Sequence, residues 1–146
     1  MTQTAWVHSP NAKHIDWVLA SVEANPEKWG ATSNPAWDTA TETVYDTAYN
    51  TARDSAWSKQ RDESRNPAWY ALLNAAYGKA YGSAYIVATG AMTALITWDD
   101  CAYMIESEVG ELKIIAAFGD PRAILLLPAC IVFNETKELT NASIAV

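Results

Sequence analysis

An all-α fold follows from three features of this sequence: a duplicated segment, a four-residue alternation of small and large side chains, and a recurrent cap-and-proline signature. Residues 34–57, NPAWDTATETVYDTAYNTARDSAW, return thirty-two positions later at 66–89 as NPAWYALLNAAYGKAYGSAYIVAT. Within the first copy, small residues at Ala36, Ala40, Ala48, Ala52 and Ala56 alternate with large ones at Trp37, Tyr45, Tyr49 and Trp57. Residues four apart lie on neighbouring turns of a helix, so the small ones form a low ridge that lets a second helix approach closely. A strict period of four drifts by about 40° per repeat on a 3.6-residue helix, which winds the ridge round the axis and favours steep crossings over a straight coiled coil. No segment shows a sustained alternation of two. The expected architecture is an irregular bundle of about five or six helices, containing the duplicated helix at 34–57 and 66–89.

The local signals place the helices in order. Ser9-Pro10, Asn34-Pro35, Asn66-Pro67 and Asp120-Pro121 each pair a capping side chain with a proline suited to the first helical turn. After Ser9-Pro10, the residues Ile15, Val18, Leu19 and Val22 keep helical spacing, and Asn25-Pro26 stops the run. Residues 27–33 are expected to form a loop. The second helix is expected over 35–60 and the third from Pro67, with Gly90 leaving its end open because one glycine costs only about 1 kcal/mol inside a helix. The stretch AMTALITWDDCAYMIES is helical in its own right, with Ala91, Ala94, Leu95, Trp98, Ala102 and Ile105 on one face. A short helix over 109–118 turns Leu112, Ile115 and Ala116 inward and closes at Gly119. Asp120 opens the last helix, which Pro128 is expected to kink or end. Residues 134–146 read as a loose tail.

The two copies differ in polarity. The first carries Asp38, Glu42, Asp46 and Asp54 among threonines, whereas the second has Tyr70, Asn74, Gly78 and Ile86 at the matching positions. A helix that is apolar on every side belongs in the middle of a bundle, so the second copy is expected to be central.

Composition bounds the function. A chain of 146 residues supports one domain with a full core. Its net charge of −7 disfavours general nucleic-acid binding, which needs clustered Lys and Arg, and suits a basic partner. Cys101 and Cys130 lie in apolar runs without CxxC or Cys/His spacing and read as buried thiols. The opening MTQTAWVHSP lacks the basic and apolar regions of a secretory signal, so a cytoplasmic protein is expected. The uncharged stretch between Lys79 and Asp99 is long enough to cross a bilayer, but its glycines and threonines fit a buried core helix. No membrane partner is expected.

No catalytic, cofactor or metal motif stands out, and an enzyme is not expected. Asp38, Glu42 and Asp46 stack at i, i+4 and i+8, a spacing that holds a divalent metal when a second acidic helix faces it. Without an ExxE partner helix they read as a solvated acidic face. His8 and His14 fall on different sides of the first helix start and make no metal pair. Asp99 and Asp100 sit inside the most apolar part of the chain, so at least one is expected to be partly buried and paired, with Arg53, Arg65 and Arg122 as candidate partners. The aromatic row is the other unusual feature. Seven Trp and seven Tyr against two Phe is a skewed choice for core packing alone, because Tyr and Trp carry polar tips that need partners when buried. Such residues also serve partner surfaces and planar ligands. The candidate binding residues are therefore Trp37, Tyr45, Tyr49, Arg53, Trp57, Arg65, Trp69, Tyr77, Tyr81, Asp99 and Asp100.

At AWDTA (36–40), ARDSAW (52–57) and ITWDDCAYMIE (96–106) the chain resembles small Ala/Trp-rich helical proteins of bacteriophages and bacterial mobile regions, and more distantly immunity proteins of bacterial toxin systems. That resemblance transfers no functional residue, and the chain departs from it in using Thr where those proteins have Ala. It implies a phage or bacterial origin and a role in conflict between phage and host, or between toxin and antidote, in the cytoplasm of a bacterial host. The expected function is a non-enzymatic, phage-encoded binding protein that inhibits a host defence protein or sequesters a nucleotide-type small molecule, acting as a homo-oligomer. The alternatives are an immunity protein capping a toxin, an all-α metal-dependent nucleotide pyrophosphatase, and a structural assembly protein.

Overall fold

Seven α-helices and one short 3-10 helix account for the ordered elements, and there is no strand among the described residues. The structure is a computed structural model that describes residues 6–7, 9–32, 39–58 and 65–136, with side chains at 39–44, 56–58 and 65–67 outside that description. The helices are α1 (Ala12–Ala24), α2 (Pro26–Ala31), α3 (Thr39–Ser58), α4 (Arg65–Tyr77), α5 (Gly82–Thr97), α6 (Val109–Ala117) and α7 (Pro121–Thr136), with the 3-10 helix at Ala102–Glu106. The all-α bundle expected from the sequence is observed. No described helix is long and apolar enough to cross a membrane.

Helix α5 is the axis of the bundle, packing against α1, α2, α3, α4 and α7. Every residue from Val87 to Thr97 is buried, so this stretch has no solvent face. Around it α1, α3 and α4 each keep an exposed side, whereas α7 has no exposed residue from Pro121 to Asn134 and packs against α2, α3, α5, α6 and the 3-10 helix. In α4, Ala68, Trp69, Leu72 and Ala76 turn inward while Tyr70, Asn74 and Tyr77 face out.

The small-residue ridge of α3 meets α5 directly. Ala48 and Ala52 are buried there, and Thr97 donates its hydroxyl to the Ala52 carbonyl at 3.1 Å. One turn and more away, the buried Tyr45 hydroxyl donates to the Ile86 carbonyl at 3.0 Å. Gly90 makes this crossing possible, because a Cβ there would overlap the Tyr45 hydroxyl and press on a Leu125 methyl carbon at 3.3 Å. Gly90 therefore neither ends nor kinks the helix; it is where α3 comes closest.

Several boundaries differ from the sequence expectation, each for a physical reason. The second copy of the repeat is not one helix: it breaks after Tyr77 and resumes at Gly82, which adopts φ +57°. The first copy has Asp46 and Asn50 at the matching positions and runs unbroken through them. Only the half of the second copy that lies in α5 is central. Residues 26–31 form a helix, not a loop, because Asn25-Pro26 stops α1 and at once starts α2 with proline in its first turn. The run from Ala91 to Ser107 breaks at Trp98, where Asn11 donates from Nδ2 to the carbonyls of Leu95 at 2.8 Å and Trp98 at 2.9 Å. A side chain from before α1 thus takes up carbonyls that a longer α5 would have used. In α6, Leu112 is buried as expected, but Ile115 is 38% exposed. Helix α7 continues through Pro128 to Thr136, tied by Asn134 Nδ2 to the Ser107 and Cys130 carbonyls, each at 2.9 Å. Of the four cap-and-proline starts, Asp120-Pro121 opens α7, whereas α1 begins two residues after Pro10. Asn34-Pro35 lies outside the described residues, and helix is already formed at Arg65, before Asn66-Pro67.

Replacing Gly90 by Ala is expected to cost about 1–3 kcal/mol through overpacking at this crossing. The measurement is thermal unfolding, with a fall in Tm of about 3–10 °C. Adding Tyr45→Phe should recover part of the loss by removing the overlapping oxygen, giving a non-additive double-mutant cycle.

Candidate functional site

Among the described residues, the aromatic side chains singled out in the sequence divide into a buried group and an exposed one. The first is a polar seam in the core. Tyr45 is buried and Tyr49 half-buried on α3, and Trp69 on α4 is 7% exposed. Trp69 donates from Nε1 to Thr93 Oγ1 at 3.1 Å, and Thr93 in turn donates to the Thr89 carbonyl at 2.7 Å. Tyr49 also hydrogen-bonds Thr93, yet burial dominates and raises its pKa. Burial likewise drives the Tyr45 pKa far upward. These hydroxyls stay protonated and serve packing, which is what the polar tips of buried Tyr and Trp require.

The second group is on the surface. Tyr77 is 75% exposed at the end of α4 and Tyr81 is 81% exposed in the turn before α5. Tyr77 also meets the half-buried Tyr85 edge-on, with ring centroids 6.0 Å apart. The sequence reading missed Tyr70 and Ile86 as members of this surface, at 48% and 55% exposure. A signal for Tyr70 existed: it lies seven residues before Tyr77, which puts both on one face of α4. Together Tyr70 and Tyr77 on α4, Tyr81 in the turn that follows and Ile86 in the first half of α5 make up an exposed strip of aromatic and aliphatic side chains. The side chains of Trp57 and Arg65, and the whole of Trp37, lie outside the described residues.

Asp99 and Asp100 correct the sequence expectation, since both are exposed. Helix α5 ends at Thr97, so the two acids sit on the turn beyond it instead of on a buried helical face. They follow the last residue of α5 while Tyr81 precedes its first, about 24 Å away along a 16-residue helix. Of the three arginines named as partners, Arg122 reaches Asp100 at 3.6 Å, but it is held more closely by Asp120 at 3.0 Å. Arg53 pairs with Asp54 at 3.5 Å on the same helix. Asp120 also accepts the Arg122 backbone N–H at 2.9 Å, as a cap of α7. Bonding from the Arg122 side chain holds the Asp120 carboxyl below its usual range.

A groove of about 460 Å³ lies between α2, α6 and α7, lined by Ala31, Thr32, Ile131, Lys28, Lys113 and Glu135. Lys28 and Glu135 face each other across it at 3.9 Å. It contains none of the residues singled out in the sequence and no aromatic side chain. The thiols of Cys101 and Cys130 are buried and form no disulfide. Burial pushes Cys101 up to about 12, and its Sγ donates to the Trp98 carbonyl at 3.2 Å, so it has the character of a packed residue and not of a nucleophile. Among the described residues no cluster of three or more His, Cys, Asp or Glu is arranged to hold a metal.

No protein-family model, no curated protein and no solved structure matches this chain. The fold and the exposed strip define a small all-α protein with a candidate contact surface on one outer helix.

The Asp120–Arg122 pair has a pH signature. The folded pKa of Asp120 lies below its ordinary value of 3.8, so its contribution is present above that value and is lost as pH falls through the lower folded pKa. Asp120→Asn keeps a capping oxygen but removes the charge paired with Arg122, and is expected to cost about 0.5–1 kcal/mol at neutral pH. Urea midpoints measured from pH 7 downward should show the gap between wild type and variant closing below pH ~4.

Proposed function

We propose that the chain is a non-catalytic binding protein that docks a protein partner on the strip formed by Tyr70, Tyr77, Tyr81 and Ile86. The observation that carries this is the exposure of Tyr77 and Tyr81, at 75% and 81%, at the end of an outer helix whose other face supplies core residues and in the turn that follows it. Large amphipathic rings so placed are the side chains that anchor protein interfaces, because they bury much area while losing little conformational freedom. The net charge of −7 favours a basic partner and hastens its encounter. A protein partner is better supported than a nucleotide-type small molecule, because the aromatic residues are divided between the core and an open surface, and the groove beside α7 has none.

The resemblance to phage and mobile-region proteins supplies the setting: a phage-encoded inhibitor of a host defence protein, working in the cytoplasm of a bacterial host as a homo-oligomer. An acidic antidote that caps a toxin would use the same surface chemistry. The identity of the captured protein separates the two roles.

The test is native mass spectrometry of the protein purified from defence-carrying cells, followed by affinity measurements on the captured partner. Tyr77→Ala and Tyr81→Ala are each expected to weaken binding about 30-fold, corresponding to ~2 kcal/mol, while leaving Tm unchanged. A captured nucleotide with no protein, or a captured protein indifferent to both substitutions, would overturn the proposal.

A further inference from the structure

We propose that the turn between α4 and α5 is a domain-swap hinge, through which two copies of this chain exchange the block containing α1 to α4. The internal repeat carries the inference. Residues 34–57 align without a gap on 66–89, and α3 is helical straight through the positions that match the turn. The four-residue beat that makes α3 a helix also continues across the turn, with small residues at Ala76, Ala80, Ala84 and Ala88 and rings at Tyr77, Tyr81 and Tyr85. What bends the second copy is local: Tyr81 is extended at φ −136° and ψ 156°, and Gly82 follows at φ +57°. Ala80 is buried, and beyond that the bend is held by few bonds. Lys79 and Ala80 both donate their backbone N–H to the Ala76 carbonyl, and Lys79 Nζ meets Glu23 at 3.3 Å with both side chains well exposed.

Straightening the turn would join α4 and α5 into one helix of about 50 Å. The block before the hinge would then leave its own α5 and α7 and take the same places on those of a second copy, with every core contact remade between chains. A short hinge linking elements that can fuse into one helix is the usual starting point for such an exchange. The Tyr77–Tyr85 contact is the local casualty, since eight residues of continuous helix separate them by about 12 Å. The exchange stands independently of any partner on the tyrosine strip.

Two substitutions push the hinge in opposite directions. Gly82→Ala penalises the left-handed turn and rewards the straight helix, together on the order of 30-fold per chain. Ser83→Pro acts the other way. Ser83 lies in the first turn of α5, where an amide needs no helical acceptor, but in a continuous helix the proline would be interior and disfavoured by roughly 100-fold or more. The experiment is refolding of the full chain at high concentration, followed by sedimentation velocity and light scattering. Wild type is expected to give a slowly dissociating species of twice the 16.0 kDa chain mass, Gly82→Ala more of it, and Ser83→Pro a monomer with unchanged helical content. The proposal is overturned if Gly82→Ala stays monomeric at every concentration, or if Ser83→Pro dimerises as wild type does.

Discussion

The close crossing of α3 over α5 is the constraint on which the remaining packing depends. Two helix backbones approach there because one side offers Ala48 and Ala52 and the other offers Gly90, with Tyr45 threaded between them and Tyr49 bonding Thr93 beside it. Close approach brings polar backbone within reach, and the chain uses it: Tyr45 bonds the Ile86 carbonyl and Thr97 bonds the Ala52 carbonyl. Dispersion contacts between small side chains are individually weak, so the gain lies in the number made when two ridges mesh at native density. The hydroxyls add directionality and fix the axial register of one helix on the other.

Once α5 is enclosed, the roles of the outer helices follow. Helices α1, α3 and α4 each keep an exposed side, which is why α4 can carry tyrosines outward without cost to the core, whereas α7 is enclosed almost as fully as α5. Helix α6 is different: Leu112 anchors it, while Ile114 and Phe118 remain 60% and 87% exposed.

Much of this architecture was legible in the sequence. The four-residue beat correctly announced small-residue helix packing, and the uncharged stretch from Ala80 to Trp98 correctly announced a buried central helix. Three things were not legible, two of them because the decisive partner is distant in the chain. The end of α5 at Thr97 depends on Asn11, more than eighty residues away, and no periodicity inside α5 records it. The exposure of Asp99 and Asp100 follows from that same termination. The break after Tyr77 was masked by the repeat itself, since likeness to residues 34–57 argued for continuity where Gly78 and Gly82 allow a bend. At the candidate site, the abundance of Tyr and Trp was visible but their division was not: which rings face Thr93 and which face water is decided by how α4 rolls onto α5.

The bond from Asn11 to the end of α5 reaches beyond stability. The two partners are 84 residues apart in the chain, a long loop to close for a helical protein, whose contacts are usually local. Helices α1 to α4 emerge from the ribosome before their common axis exists, and none can bury its inner face until α5 follows. The N-terminal half therefore waits for its axis, and the order of synthesis makes completion of α5 the event that lets α1 to α4 assemble, with α7 still to come before the core is closed.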